Sequence, residues 1–169
     1  MSKFDPLLSR RSVREYKDTP IPEEMIIKLA EAAEAAPSAC NRRPVNFYFI
    51  TNADTLEKLH AAGRFTRFKS PLVVVVTGDL KRALPLEFSD YWIQDAAAAC
   101  ENILIKATEL GLGSCWCGVL PQKRLMRRVS EILDLGDKEI PFAMLKIGYT
   151  DKTTEPHSGY SDKRVKFIN

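Results

Sequence analysis

The stretch from Ser89 to Leu110 constrains this chain more than any other segment. It opens on Ser89-Asp90, runs through Asp95-Ala96-Ala97-Ala98-Ala99-Cys100 and stops before Gly111. Ser or Asp at the start and Gly just past the end are helix punctuation. The spacing predicts one long central helix. Small residues on several of its faces allow close packing on more than one side, a second subunit included.

The other elements are read around it. Asp5-Pro6 is an N-cap followed by proline in the first helical position, opening a short helix toward Arg10. Pro20-Ile21-Pro22-Glu23-Glu24 opens a second helix with acids in its first turn, favourable against the helix dipole. Met25, Ile26, Leu29, Ala30, Ala33 and Ala36 recur at helical spacing until Pro37 ends the run. Phe47 to Thr51 reads as a strand, and an amphipathic helix follows through Leu56 and Leu59. Leu72 to Thr77, bounded by Pro71 and Gly78, reads as a buried central strand. Leu112 to Gly118 is expected as a short tight segment, Pro121 to Leu133 as a helix, and Phe142 to Tyr149 as a final alternating strand. Helices and strands interleave without simple βαβ repetition, so the fold class is α+β. One domain over 1–169 is expected, with 150–169 as a polar tail that an isolated monomer leaves loose and a partner could hold.

Composition excludes several functions. The longest aliphatic run, Leu72 to Val76, is far short of the roughly 20 residues of a membrane helix. The charge balance of 25 Lys+Arg against 22 Asp+Glu, net +3, is too small for a general nucleic-acid binder. Any important positive charge must be local. Met1 to Pro6 lacks the pattern of a secretory signal, and Cys40, Cys100, Cys115 and Cys117 form no CxxC pair. A reducing cytoplasm is therefore expected, and no metal site: His60 and His157 have no ligand spacing, and a lone CxC is a poor zinc site. There is no P-loop, and no GxGxxG follows a strand.

Three segments could carry chemistry. Arg10-Arg11-Ser12-Val13-Arg14 offers three guanidinium forks and a hydroxyl that suit a phosphate, or else forms a solvated basic turn after a helix. Ala36 to Pro44, with Pro37, Ser38, Ala39 and Asn41, makes a shaped loop that can hold a planar heterocycle by its edges, or simply a helix terminus and turn. Gly111 to Gly118 lets backbone approach a ligand closely, with Cys115 and Cys117 read as buried structural thiols.

In this order and spacing, and with Asp95, Ala98 and Asn102 on the central helix and Ile147-Gly148-Tyr149 closing the last strand, the segments resemble the FMN-dependent nitroreductase family over essentially the whole chain. The resemblance implies a mixed or antiparallel sheet flanked by helices in an intertwined homodimer, with two FMN sites across the interface. It implies that Arg10, Arg11, Ser12 and Arg14 grip the flavin phosphate. Pro37, Ser38, Ala39 and Asn41 would come from the partner subunit to line the ring and ribityl chain, while backbone near Cys117 and Gly118 faces the ring. Lys163 and Arg164 are similar in position to residues that close on the phosphate, and Arg64, Arg67 and Lys69 are further candidates among which the sequence does not choose. Arg43-Pro44-Val45 stands where relatives often carry Gln and then Pro-Trp, implying either a more basic flavin neighbourhood or an Arg43 that points elsewhere. The implied chemistry is ping-pong: NADH or NADPH reduces the flavin and leaves, then a nitroaromatic, quinone or related small-molecule acceptor takes its place. No side chain is singled out as catalytic acid. Flavin reductase, a dehydrogenase-like relative, or a non-catalytic flavin sensor are the alternatives on the same fold.

Overall fold

The computed structural model describes residues 4–153, 155–157, 160–161 and 163–168. Helix α1 (Pro6–Ser9) begins where the Asp5 carboxylate accepts the Leu7 N–H at 2.9 Å, and α2 (Glu23–Glu34) carries Glu23 and Glu24 in its first turn. Then come β1 (Val45–Ile50), α3 (Ala53–Ala61), β2 (Leu72–Asp79), α4 (Tyr91–Glu109), β3 (Gly113–Gly118), α5 (Lys123–Leu133) and β4 (Glu139–Gly148). The fold is α+β. The four strands lie in the order β1-β2-β4-β3 with every pairing antiparallel. The sheet implied as mixed or antiparallel is therefore antiparallel among the described strands.

Period-2 alternation divides the core between the two faces of the sheet. Leu72, Val74 and Val76 of β2 with Leu145 and Ile147 of β4 pack beneath α2 and α4. Val73, Val75 and Met144 point the other way, toward α3 and α5. The long helix was placed correctly by its small residues: Ala96, Ala99, Cys100, Ile103 and Ala107 are buried against the first face. Its opposite side, including Ala97, Ala98 and Asn102, is half-buried, and Asn102 donates to the Ala32 carbonyl of α2 at 3.2 Å. Gly111, at φ +74°, ends the helix region as its position promised. Asp90, by contrast, occupies the N-cap without making a side-chain capping bond.

One segment differs from its sequence reading. Residues 112–118 form strand β3 over Gly113–Gly118, paired from Gly113 opposite Gly148 to Gly118 opposite Ala143. Two glycines and two cysteines give little strand signal, so this strand exists through non-local pairing rather than local propensity. The N-terminal arm adds to its free side: Val13 N–H donates to the Ser114 carbonyl at 2.8 Å, within a parallel bridge between Ser12 and Ser114.

Gly78 near the end of β2 fixes how closely α4 can approach. A Cβ there would stand 2.2 Å from the Trp92 ring, which is buried and packs edge-on to Phe142 with centroids 6.0 Å apart. Gly78→Ala should therefore cost about 1–3 kcal/mol through overpacking, read as a lower urea midpoint. Gly136→Ala, where a Cβ meets nothing within 4 Å, should stay within about 0.5 kcal/mol of the parent. Equal midpoints for the two variants would contradict this packing.

Candidate functional site

The arm before α2 runs extended along β3, so its side chains alternate. Val13 turns inward, its Cγ1 only 3.1 Å from where a Gly113 Cβ would lie, and is buried. Ser12 and Arg14, its neighbours, take the opposite direction. Tyr16 fastens the arm, its hydroxyl lying 2.5 Å from the Val13 carbonyl and 3.0 Å from the Lys146 carbonyl. Burial pushes that phenol well above its ordinary range, so it stays a donor.

Arg14 then lines a cavity of about 490 Å³ with Cys117 and Gly118 at the end of β3. The opposite wall is the loop after α3, which brings Arg64, Phe65, Thr66, Arg67 and Phe68, while Gln122 and Leu125 close it from α5. Of the candidates the sequence left open, Arg64 and Arg67 line this cavity, and Arg67 also borders the one that Lys69 lines. Lys69 instead borders a separate surface cavity beside His60. A Cβ on Gly118 would meet nothing closer than 3.9 Å, so the strand end is uncrowded on the cavity side.

The loop wall is tied down from beneath. Lys146 of β4 is fully buried, sits between Val73 and Cys115 in the sheet register, and sends its ammonium to the 63–70 loop. Its Nζ donates to the carbonyls of Thr66, at 2.5 Å, and Phe68, and lies 4.4 Å from the Phe68 ring centroid. Burial pulls this ammonium down to about 8. His60 braces the same loop, its Nε2 accepting the Ser70 N–H at 3.3 Å.

The two cysteines of β3 are buried on the Lys146 face, as the sequence reading expected of structural thiols. The neighbouring Cys117 thiol, with Arg14 and Lys146 assisting, pulls Cys115 below its ordinary value, while Cys115 and burial push Cys117 upward. Cys117 Sγ also lies 3.8 Å from the Phe65 carbonyl, joining β3 to the loop wall.

The remaining candidates lie elsewhere in the single chain. Arg10 pairs with Glu101 of α4 at 3.2 Å, and Arg11 donates to the Glu155 carbonyl at 3.0 Å. Pro37 and Ser38 line a different cavity, of about 130 Å³, with Arg43, Arg82 and Asp95. There Asp95 Oδ1 accepts the Ala39 N–H at 3.0 Å, while its Oδ2 is buried without a partner among the described residues. Cys40, Asn41 and Arg43 all have positive φ, near +50°, and the Arg43 Nε donates to Asn41 Oδ1 at 3.1 Å. Left-handed backbone at non-glycine residues costs of order 1–3 kcal/mol each, less for Asn, so this loop is held in a demanding shape by its surroundings. Lys163 and Arg164 are exposed on the tail, where Arg164 N–H donates to the Ser161 carbonyl. Neither lines the Arg14 cavity.

Comparison with known proteins follows the same outline. The family model described as the nitroreductase family matches residues 7–64 and 63–149. A Methanothermobacter thermautotrophicus protein carried under the provisional name NADH dehydrogenase/NAD(P)H nitroreductase is 33% identical over 88% of this chain and 78% of its own length. Its namesake in Archaeoglobus fulgidus is 37% identical over 85% of this chain and 82% of its own. The solved structure of an FMN-dependent nitroreductase from Clostridium difficile R20291 superposes with a TM-score of 0.87, at 30% identity, over 98% of each chain.

The His60 brace should be visible in acid. Burial, with Lys146 and Lys69 nearby, pulls this imidazole from 6.5 to about 4, because the acceptor nitrogen must stay bare. Between those values the unfolded chain binds more protons than the folded one. The stability is thus fully present above 6.5 and lost as pH falls toward 4. The loss from this group is about 3 kcal/mol at most. His60→Gln, which keeps an acceptor for Ser70 and cannot titrate, should flatten urea midpoints over that window. Parallel slopes for parent and variant would contradict the assignment.

Proposed function

The chain belongs to the nitroreductase family, and from that premise we propose that it is an NAD(P)H-dependent FMN oxidoreductase reducing nitroaromatic, quinone or related acceptors. The observation that carries the reading is the convergence of Arg14, Arg64 and Arg67 with the open end of β3 on one cavity, above the buried Lys146. The cavity volume lies within the usual range of small-ligand sites. Its guanidinium groups, aromatic side chains and bare Gly118 match a flat, anionic cofactor, so the residues present fit FMN.

Arg14 is the phosphate- or ring-edge cation of this site, since a guanidinium offers paired, charge-assisted donors. Ser12, on the same face of the arm, adds a short donor. Arg10 and Arg11 serve from the start of the arm, Arg10 by way of its pairing with Glu101. The backbone of Cys117 and Gly118 meets the ring. Lys146 lends positive charge from below without entering the cavity, which favours any negative charge that develops above it. When bound, FMN supplies the hydride chemistry, accepting from NADH or NADPH and delivering to the acceptor. Donor and acceptor use the same open face in turn, in ping-pong order.

The strained loop with Pro37, Ser38, Ala39 and Asn41 completes the site of a partner subunit rather than its own. Within one chain it opens on a cavity separate from that of Arg14, and a second copy is what would unite the two. Exposed apolar side chains on α1 and the tail, among them Leu7, Leu8, Phe167 and Ile168, supply the surface for such a dimer. The tail 150–169, with Lys163 and Arg164, then lies against the partner.

The purified protein should be yellow, release FMN on denaturation and bleach anaerobically with a nicotinamide donor. Losing one charged hydrogen bond costs about 1.5–3 kcal/mol, so Arg14→Ala should weaken FMN binding roughly 10- to 150-fold. Cys115→Ala and Cys117→Ala should stay yellow and active, because backbone rather than thiol meets the ring. An Arg14 variant with undiminished FMN affinity, beside a folded but inactive cysteine variant, would overturn the site in favour of thiol chemistry.

A further inference from the structure

Arg64 and Arg67 face more than the Arg14 cavity. These two residues, with Gln122 and Leu125, also border a second groove of about 440 Å³ that runs between the loop and the start of α5. Lys123, Arg124 and Arg128 line its far side, and no acidic side chain lines it at all. Five cations thus surround one groove in a chain whose net charge is only +3. All five are exposed, and among the described residues none is in an ion pair.

The arrangement works against the fold. Cations in the first turns of a helix oppose its dipole, and α5 has no acid in its first turn where α2 has Glu23 and Glu24 and α3 has Asp54. Arg128 is held in place, its Nη1 donating to the Ala62 carbonyl at 2.9 Å, and so cannot swing away from its neighbours. Like charges kept together with no counter-ion of their own are relieved by a ligand that brings negative charge.

We propose that this groove binds the 2′-phosphate of NADPH, so that the chain takes NADPH in preference to NADH as its hydride donor. The inference rests on the FMN oxidoreductase reading, because a donor must place its nicotinamide in the Arg14 cavity while its adenosine half extends outward. Arg64, Arg67, Gln122 and Leu125 border both spaces, so the two lie side by side, within reach of one extended dinucleotide. NADH carries the pyrophosphate but lacks the extra dianion; with Arg64 and Arg67 shared with the Arg14 cavity, Lys123, Arg124 and Arg128 border the groove alone, one cation more than the two charges of a dinucleotide pyrophosphate.

Lys123 and Arg124 border only the outer groove, so the test is made on them in the FMN-loaded protein. Calorimetric titration should find adenosine 2′,5′-bisphosphate binding at least about 10-fold more tightly than 5′-AMP, given the strength of charged hydrogen bonds. In the Lys123→Gln/Arg124→Gln double variant that difference should vanish. Anaerobic bleaching by limiting NADPH should slow roughly 10- to 100-fold, with NADH changed less than about 3-fold and FMN content unchanged. Equal binding of the two nucleotides by the parent would overturn the proposal. So would an equal loss with both donors, or release of FMN by the variant, which would make the groove part of the flavin site. A parent protein that takes up no FMN would instead count against the oxidoreductase reading, while the nucleotide titration would still decide the groove.

Discussion

The site depends on one buried ammonium. Lys146 is fully enclosed, and among the described residues no carboxylate pairs with it. It is satisfied by two carbonyl dipoles and the face of Phe68. Burying a charge without an opposite charge is costly, which is why the group is pulled down to about 8. In return the 63–70 loop, which has little regular structure beyond one short turn at Arg64–Thr66, is fixed to the central sheet. That fixing places Arg64 and Arg67 in the wall of the Arg14 cavity. An anion in the cavity above, as proposed for FMN, would supply the negative charge that the described residues withhold.

A similar trade is made in the loop proposed to complete a partner's site. Asp95 leaves one buried oxygen unpaired among the described residues while the other restrains Ala39, at the start of a loop with three left-handed non-glycine residues. Both places spend stability on geometry: one through a cation without a counter-ion, the other through backbone strain. Each sits beside rigid structure, the sheet in one case and α4 in the other. Residues set this way hold a ligand more exactingly than flexible loops would.

Much of the fold was legible because helix ends are local. Asp5-Pro6, Glu23-Glu24 and Gly111 each act on their own few residues, and each element appeared where those signals placed it. Strand β3 was not legible, since Gly113–Gly118 gains its conformation from β4 and the N-terminal arm. Of the residues that line the Arg14 cavity, Arg14, Cys117 and Gly118 stand in motifs the sequence shows, but that Arg64 and Arg67 line it and Lys69 does not depends on how a loop is tethered from 80 residues away. Lys146 was missed because a lysine in an alternating strand reads as solvent-facing. Its one sequence signal was its place two residues after Met144, on a face that the neighbouring Val73 and Val75 mark as interior.

Lys146→Met, which keeps bulk and removes the donor, tests this account most directly. Amide hydrogen exchange would be followed across the chain together with FMN affinity. The expected result is faster exchange confined to residues 63–70, with β2 and β4 still protected, and a matching fall in FMN binding. Unchanged exchange in that loop together with full FMN affinity would show that the buried ammonium does not shape the site.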